Sequence, residues 1–289
     1  MSLERLDPAT TLGSVHLDVT DLDRAVGFYT RHLGFASLGR TPGVARLGAG
    51  DRELLVLHDG AGGPRSPRTT GLFHFAVVVP SRALLANVLV GLIASGTPLQ
   101  GAADHGVSEA LYLADPDGNG IEIYRDRPRT EWPMDQREVR MISEPLDLEG
   151  LLEERTTETP SPLDPGSRLG HMHVQVSELQ PAHDFYVNTL GFDLMQRFGH
   201  SALFVSAGGY HHHVGVNTWA GVGAPRPDPF TAGLRHFEVQ VPDSAELGRV
   251  RARLEAAGVA VVAVLAGQEE PDAFEVEDPS GNRLRFIAG

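Results

Sequence analysis

Four histidines recur at matched points of the chain: His16 and His74 in its first half, His173 and His236 in its second. Each stands near the start of a stretch that alternates like a β-strand. A lone strand histidine is usually a satisfied core or surface residue, but recurrence at equivalent positions points to a repeated site or its relic. Glu122, in Gly118-Asn119-Gly120-Ile121-Glu122, adds a carboxylate. Two neutral imidazoles and one carboxylate suit iron(II), manganese or zinc and leave metal positions open for substrate and oxygen. The expected ligand set is therefore His16, His74 and Glu122, with the two histidine strands facing each other across a shared cup. The place equivalent to Glu122 in the second half is Arg285, whose guanidinium repels a cation. The alternative for Glu122 is a solvated residue at a strand edge.

His105 opens the run His-Gly-Val-Ser-Glu-Ala-Leu-Tyr that ends at Tyr112. Tyr112 and Glu122 have the same parity, so across the Asp-Pro-Asp-Gly turn both can point into one cup from adjacent strands. Its imidazole, a side chain able to take up and release a proton, makes His105 a candidate proton carrier. Its other reading is a loop histidine in water.

The elements that must position these groups form a repeat. LGSVHLDVTDLDRAVGFYTRHLGF at 12–35 matches LGHMHVQVSELQPAHDFYVNTLGF at 169–192. GLFHFAVVVP at 71–80 matches GLRHFEVQVP at 233–242, and DPDGNGIEIY at 115–124 matches DPSGNRLRFI at 278–287. Within each copy the plan runs twice. A strand over Ser14–Val19 leads through Thr20-Asp21 into a helix from Leu22 to Leu33, closed by Gly34, and strands follow to about His58. The plan restarts with a strand at Leu72–Val79, a helix opened by Pro80-Ser81 and ending at Gly96, and strands ending at Glu122–Tyr124. Four βαβββ modules thus make two tandem domains, 10–127 and 167–289, of the α+β class, each a cup-shaped mixed sheet. Residues 128–166 form a charged, Pro-rich linker with a helical candidate at Leu146–Glu154.

Composition narrows the partners. Among 289 residues, 24 are Lys or Arg and 38 are Asp or Glu, for a net charge of −14. That balance argues against a nucleic-acid or anionic-membrane surface. The absence of cysteine excludes disulfides, iron–sulfur clusters, thiolate zinc sites and cysteine nucleophiles. MSLERLDPATT lacks the apolar core of a signal peptide, and Ala83–Ser95 is too short to span a bilayer, so a cytoplasmic location is expected.

The run His105-x5-Leu111-Tyr112-x2-Asp115-Pro116-x-Gly118-x3-Glu122 resembles the signature of the type I extradiol ring-cleavage dioxygenases, within the vicinal oxygen chelate superfamily. Ala103 departs from the residues that pattern prefers two positions before the histidine. The resemblance implies tandem vicinal-oxygen-chelate domains, with His16, His74 and Glu122 as iron(II) ligands and the second domain degenerate. It implies that His105 and Tyr112 hydrogen-bond the substrate or the oxygenated intermediate. His58 stands roughly where the family places an acid–base histidine. The implied partners are a small aromatic diol and dioxygen, with manganese a possible substitute for iron and a homo-oligomeric assembly.

Two other functions use the same fold. A glyoxalase-like lyase or isomerase would employ zinc or nickel, and a drug-resistance type of binding protein would need no metal. The second copy's histidines, His171, His173, His211, His212, His213 and His236, also allow several readings. These are a second metal site from His173, His236 and His213, a polar wall or subunit contact, or a decayed site.

Overall fold

The computed structural model describes residues 4–135, 138–264 and 273–289. The first module is β1 (Thr11–Val19), α1 (Leu22–His32), β2 (Ala36–Thr41), β3 (Val44–Ala49) and β4 (Arg52–Asp59). The second is β5 (Gly71–Val78), α2 (Arg82–Ser95), β6 (Gly101–Asp104), β7 (Ser108–Ala114) and β8 (Gly120–Asp126). The connecting segment carries β9 (Met134–Asp135), β10 (Glu138–Val139), β11 (Glu144–Pro145) and α3 (Leu148–Glu153), the last inside the expected helical stretch. The third module is β12 (Arg168–Gln175), α4 (Leu179–His183), β13 (Asp193–Phe198), β14 (Ala202–Ser206) and β15 (Val214–Asn217). The fourth is β16 (Gly233–Val241), α5 (Ser244–Ala256), β17 (Val262–Val264), β18 (Ala273–Glu277) and β19 (Arg283–Ala288). Helix limits follow local chemistry. Asp21 and Ser81 cap α1 and α2 by accepting from Arg24 and Leu84 N–H, and Gly96 ends α2 at φ 65°, a conformation that favours glycine.

The strands form two large mixed sheets. One runs β17-β18-β19-β16-β1-β4-β3-β2, the other β11-β6-β7-β8-β5-β12-β15-β14-β13. Module one therefore shares a sheet with module four, and module two with module three. This corrects the expectation that His16 and His74 face each other across one cup, since each sheet takes one module from each sequence copy. His16 pairs with His236 on β16, and His74 pairs with His173 on β12. The repeat shows which positions are equivalent, but equivalent strand edges can pair in more than one combination.

Alternation divides each sheet into a core face and a polar face. Phe75 and Val77 of β5, Leu111 and Leu113 of β7, and Ile121 and Ile123 of β8 enter the main core with the helices. Their neighbours His74, Tyr112 and Glu122 then project from the opposite face. The two modules of one copy meet through that core and through a buried latch. Tyr29 Oη donates to Asp115 Oδ2 at 2.9 Å, and Tyr186 Oη donates to Asp278 Oδ2 at 3.1 Å. The recurring Phe-Tyr and Asp-Pro-x-Gly-Asn motifs thus serve architecture. Each aspartate also holds its own turn, Asp115 accepting from the Asp117 and Asn119 backbone N–H.

Candidate metal centre and active-site cavity

Three side chains converge where β8, β5 and β12 run side by side. In register, Ala76 of β5 lies between Glu122 on β8 and His171 on β12. Its small side chain leaves room for those two groups to meet, with His74 two residues earlier on the same face. His74 Nε2 and Glu122 Oε2 are 3.1 Å apart, His171 Nε2 and Glu122 Oε2 are 3.1 Å apart, and the two Nε2 atoms are 3.3 Å apart. All three residues are buried. Gly120 pairs with His74 across β5 and β8, and a Cβ there would collide with the Phe73 carbonyl, so glycine permits this close approach.

The donor set fits a divalent cation. A cation bound at about 2.0–2.2 Å holds neighbouring donors roughly 3.0–3.5 Å apart, which matches this triangle. Burial pushes the His171 imidazole down to about 4, so at neutral pH it is uncharged and offers a lone pair. Burial raises the Glu122 carboxyl, but His171 and His74 outweigh it and hold the group well below the usual carboxylate range. The expected residues His74 and Glu122 thus come together, while His16 lies in the other sheet and His171 stands in its stead. Sequence matching passed over His171 because its equivalent in the first copy is Ser14. The usable signal was its parity with His173 on one strand.

A cavity of about 560 Å3 opens over this triangle, lined by His74, Glu122, His171, His105, Tyr112, His173 and His212 with Phe73, Phe204 and Trp219. Its size and its apolar wall with a few convergent polar groups suit a small aromatic ligand. Tyr112 lies opposite Glu122 in the β7–β8 register, as its parity suggested. His105 Nδ1 is 2.7 Å from the Ile142 carbonyl, and its Nε2 is 2.7 Å from Tyr112 Oη. A carbonyl only accepts, so Nδ1 carries the proton of a neutral ring and Nε2 accepts from the tyrosine. Burial, together with the charge of Glu122, pushes the Tyr112 phenol well above its ordinary value and keeps it protonated.

His58 does not line this cavity. It sits in the other sheet, with its Nε2 3.0 Å from His16 Nδ1. A histidine that does line it is His212, which the sequence did not single out for chemistry. His211 Nε2 is 2.9 Å from Asp126 Oδ1, and His211 Nδ1 is 2.8 Å from His212 Nδ1. The carboxylate accepts from His211 Nε2–H, so neutral His211 accepts from His212 Nδ1–H and leaves His212 Nε2 unprotonated. Burial pushes the His212 imidazole well below its ordinary value, so that nitrogen stays unprotonated at neutral pH and offers a lone pair as a hydrogen-bond acceptor. The second-copy trio His173, His236 and His213 is dispersed. His173 lines the cavity, His236 packs on His16, and His213 accepts from Ala207 N–H at 3.2 Å.

Two α+β segments carrying a buried His/Glu triangle beneath an apolar cavity define the class. The model of the Glyoxalase/Bleomycin resistance protein/Dioxygenase superfamily matches residues 11–123 and 168–286, and the chain belongs to this family. A catechol-2,3-dioxygenase of Bacillus subtilis (strain 168) is 42% identical over 284 residues, covering 96% of this chain and 97% of the relative. Among solved structures, one from Bacillus subtilis subsp. subtilis str. 168 superposes with TM-score 0.71 at 14% identity, over 99% of this chain and 86% of that one. Glyoxalase I from Zea mays superposes with TM-score 0.61 at 15% identity, over 97% of this chain and 92% of that one. These structural likenesses establish the shared fold. Among the described residues, no helix is long and apolar enough to cross a membrane.

Proposed function

We propose that this extradiol dioxygenase cleaves a catechol-like aromatic with dioxygen at iron(II) held by His74, His171 and Glu122. The observation that carries the reading is the triangle of Nε2, Nε2 and Oε2 atoms, 3.1–3.3 Å on a side, at the base of an apolar cavity. His74, His171 and Glu122 would hold iron(II), which would supply a Lewis-acid and redox-active centre for a diol and dioxygen.

The chain's own groups bind, orient and move protons. Phe73, Phe204 and Trp219 supply apolar surface for a flat ring, and their packing against the histidines limits water at the reacting atoms. The Tyr112 oxygen can accept a catechol O–H while its own proton passes to His105 Nε2. His105 is the group that carries the resulting charge, with Nδ1–H held on the Ile142 carbonyl. His212 Nε2 is a second acceptor, oriented through His211 by Asp126, to which a substrate O–H can donate. In this reading His212 takes the place at the substrate first given to His58.

The test is to load metal-free protein with iron(II) under anaerobic conditions, add simple catechols, and record dioxygen uptake on mixing with aerated buffer. Stoichiometric uptake with a yellow ring-opened product, absent in Glu122→Gln, is the expected result. Metal bound in proportion to protein with no uptake for a panel of catechols would overturn the dioxygenase assignment in favour of lyase or isomerase chemistry.

A further inference from the structure

The polar face of the other sheet contains a second constellation that the ring-cleavage site does not use. At its centre are His16 on β1 with His236 and Glu238 on β16, whose donor atoms all lie within 4.8 Å of one another. We propose that His16, His236 and Glu238 form a second divalent-cation site, at the seam between the first and last modules.

The arrangement follows from comparing the two sheets position by position. His236 is the repeat equivalent of His74, whereas Ser14 and Arg285 replace His171 and Glu122. A mere relic would end there. Instead, the position equivalent to Ala76 is Glu238, which returns a carboxylate one strand over, and His16 restores a second imidazole two residues along β1. The same donor types thus recur on shifted positions in a looser cluster, with the His16 and His236 rings stacked 4.0 Å apart.

Two of the three candidate ligands, His16 and Glu238, also have the hydrogen-bonded support that metal ligands characteristically show. His16 Nδ1 is 3.0 Å from His58 Nε2, and its Nε2, 3.2 Å from Ser14 Oγ, lies on the side of Glu238, 3.8 Å from Oε1. Glu238 Oε2 accepts from the Ser14 amide and hydroxyl, both at 2.9 Å, so Oε1 is its remaining oxygen. His236 Nε2 is buried with no hydrogen-bond partner, while its Nδ1 is 3.9 Å from Glu275 Oε1. A buried nitrogen without a partner is costly unless something fills its lone-pair direction. Arg285 would oppose a cation if free, but its guanidinium is engaged by Glu275 at 2.7 and 3.0 Å. His58, the nearby Arg46, Arg235 and Arg285, and the carboxylates of Asp18, Glu238 and Glu275 complete the charged surroundings. A small borderline cation of the zinc or cobalt kind fits two imidazoles and a carboxylate. Because its ligands come from two paired strands, its role is to clamp β1 to β16.

Cobalt(II) chloride added to chelator-stripped full-length protein tests this, with bound metal counted by elemental analysis and coordination followed by visible absorption. Wild type is expected to take two equivalents. Glu238→Gln and, separately, His236→Asn should each take one, while Glu122→Gln retains the equivalent at His16, His236 and Glu238. Ser14→Ala should weaken that equivalent by about 10–100-fold. Thermal melts in chelator show whether each variant folds, and the melting temperature of Glu122→Gln should rise with cobalt. A wild type saturating at one equivalent, or variants at both Glu238 and His236 still taking two, overturns the proposal.

Discussion

His74 Nε2 and His171 Nε2 lie 3.3 Å apart, although the residues are 97 positions apart and belong to different copies of the repeat. The antiparallel seam of β5 with β12 brings them together, so the candidate metal centre belongs to neither copy alone. His171→Ala leaves two donors of three. Iron affinity and kcat/KM should fall by more than the roughly 10–100-fold typical of outer-shell substitutions. Iron bound after gel filtration, measured beside dioxygen uptake, checks this. A His171→Ala protein with wild-type iron content would remove His171 from the ligand set.

Tyr112 and His105 act as one unit if the proton path through Oη and Nε2 is correct. Tyr112→Phe removes the hydroxyl while keeping the ring against His74, and should lower kcat by about 100–1,000-fold with little change in KM. His105→Gln should cost a similar amount, and the double variant should be little worse than either single one, because groups in one relay are not additive. Steady-state kinetics of the three proteins decide it. Independent, multiplying losses would contradict a shared path.

The sequence reveals much of this architecture and one part of the site. The helix limits are legible in Asp21, Ser81 and Gly96, and the four modules in the three matched blocks. Tyr112 beside Glu122 is legible because a short turn fixes the partner strand, so parity alone decides the face. What is not legible is which modules share a sheet. The first strands of all four modules present similar alternating edges, and only long-range packing selects the pairing of β5 with β12. That choice exchanges His171 for His16 at the candidate metal centre and His212 for His58 at the cavity.

The Tyr29–Asp115 latch predicts a stability effect far from any ligand. Asp115 accepts from the Tyr29 hydroxyl, from two backbone N–H groups and from the Asn119 amide, all buried. Asp115→Ala leaves those donors unpaired and should destabilise the protein by about 3 kcal/mol or more. Tyr29→Phe removes one bond and should cost about 1–2 kcal/mol. Urea unfolding of both variants measures the difference. Equal losses would mean that Asp115 matters only through the tyrosine.

His213 predicts an acid limit to stability. Its Nδ1 accepts from the Ala207 N–H, and burial, reinforced by His211 and Arg168, pushes the imidazole down to about 3. In the unfolded chain it takes a proton near pH 6.5. Between those values the unfolded state binds more protons than the folded one, so stability falls as pH drops. The contribution is complete above about pH 6.5 and declines below it by at most about 1.4 kcal/mol per pH unit. His213→Asn keeps an acceptor for Ala207 but has no titration. Unfolding free energies at pH 7, 5.5 and 4.5, roughly spanning that window, should show the variant losing stability less steeply than wild type, by up to one proton. Parallel curves would mean that His213 titrates alike in the folded and unfolded chains.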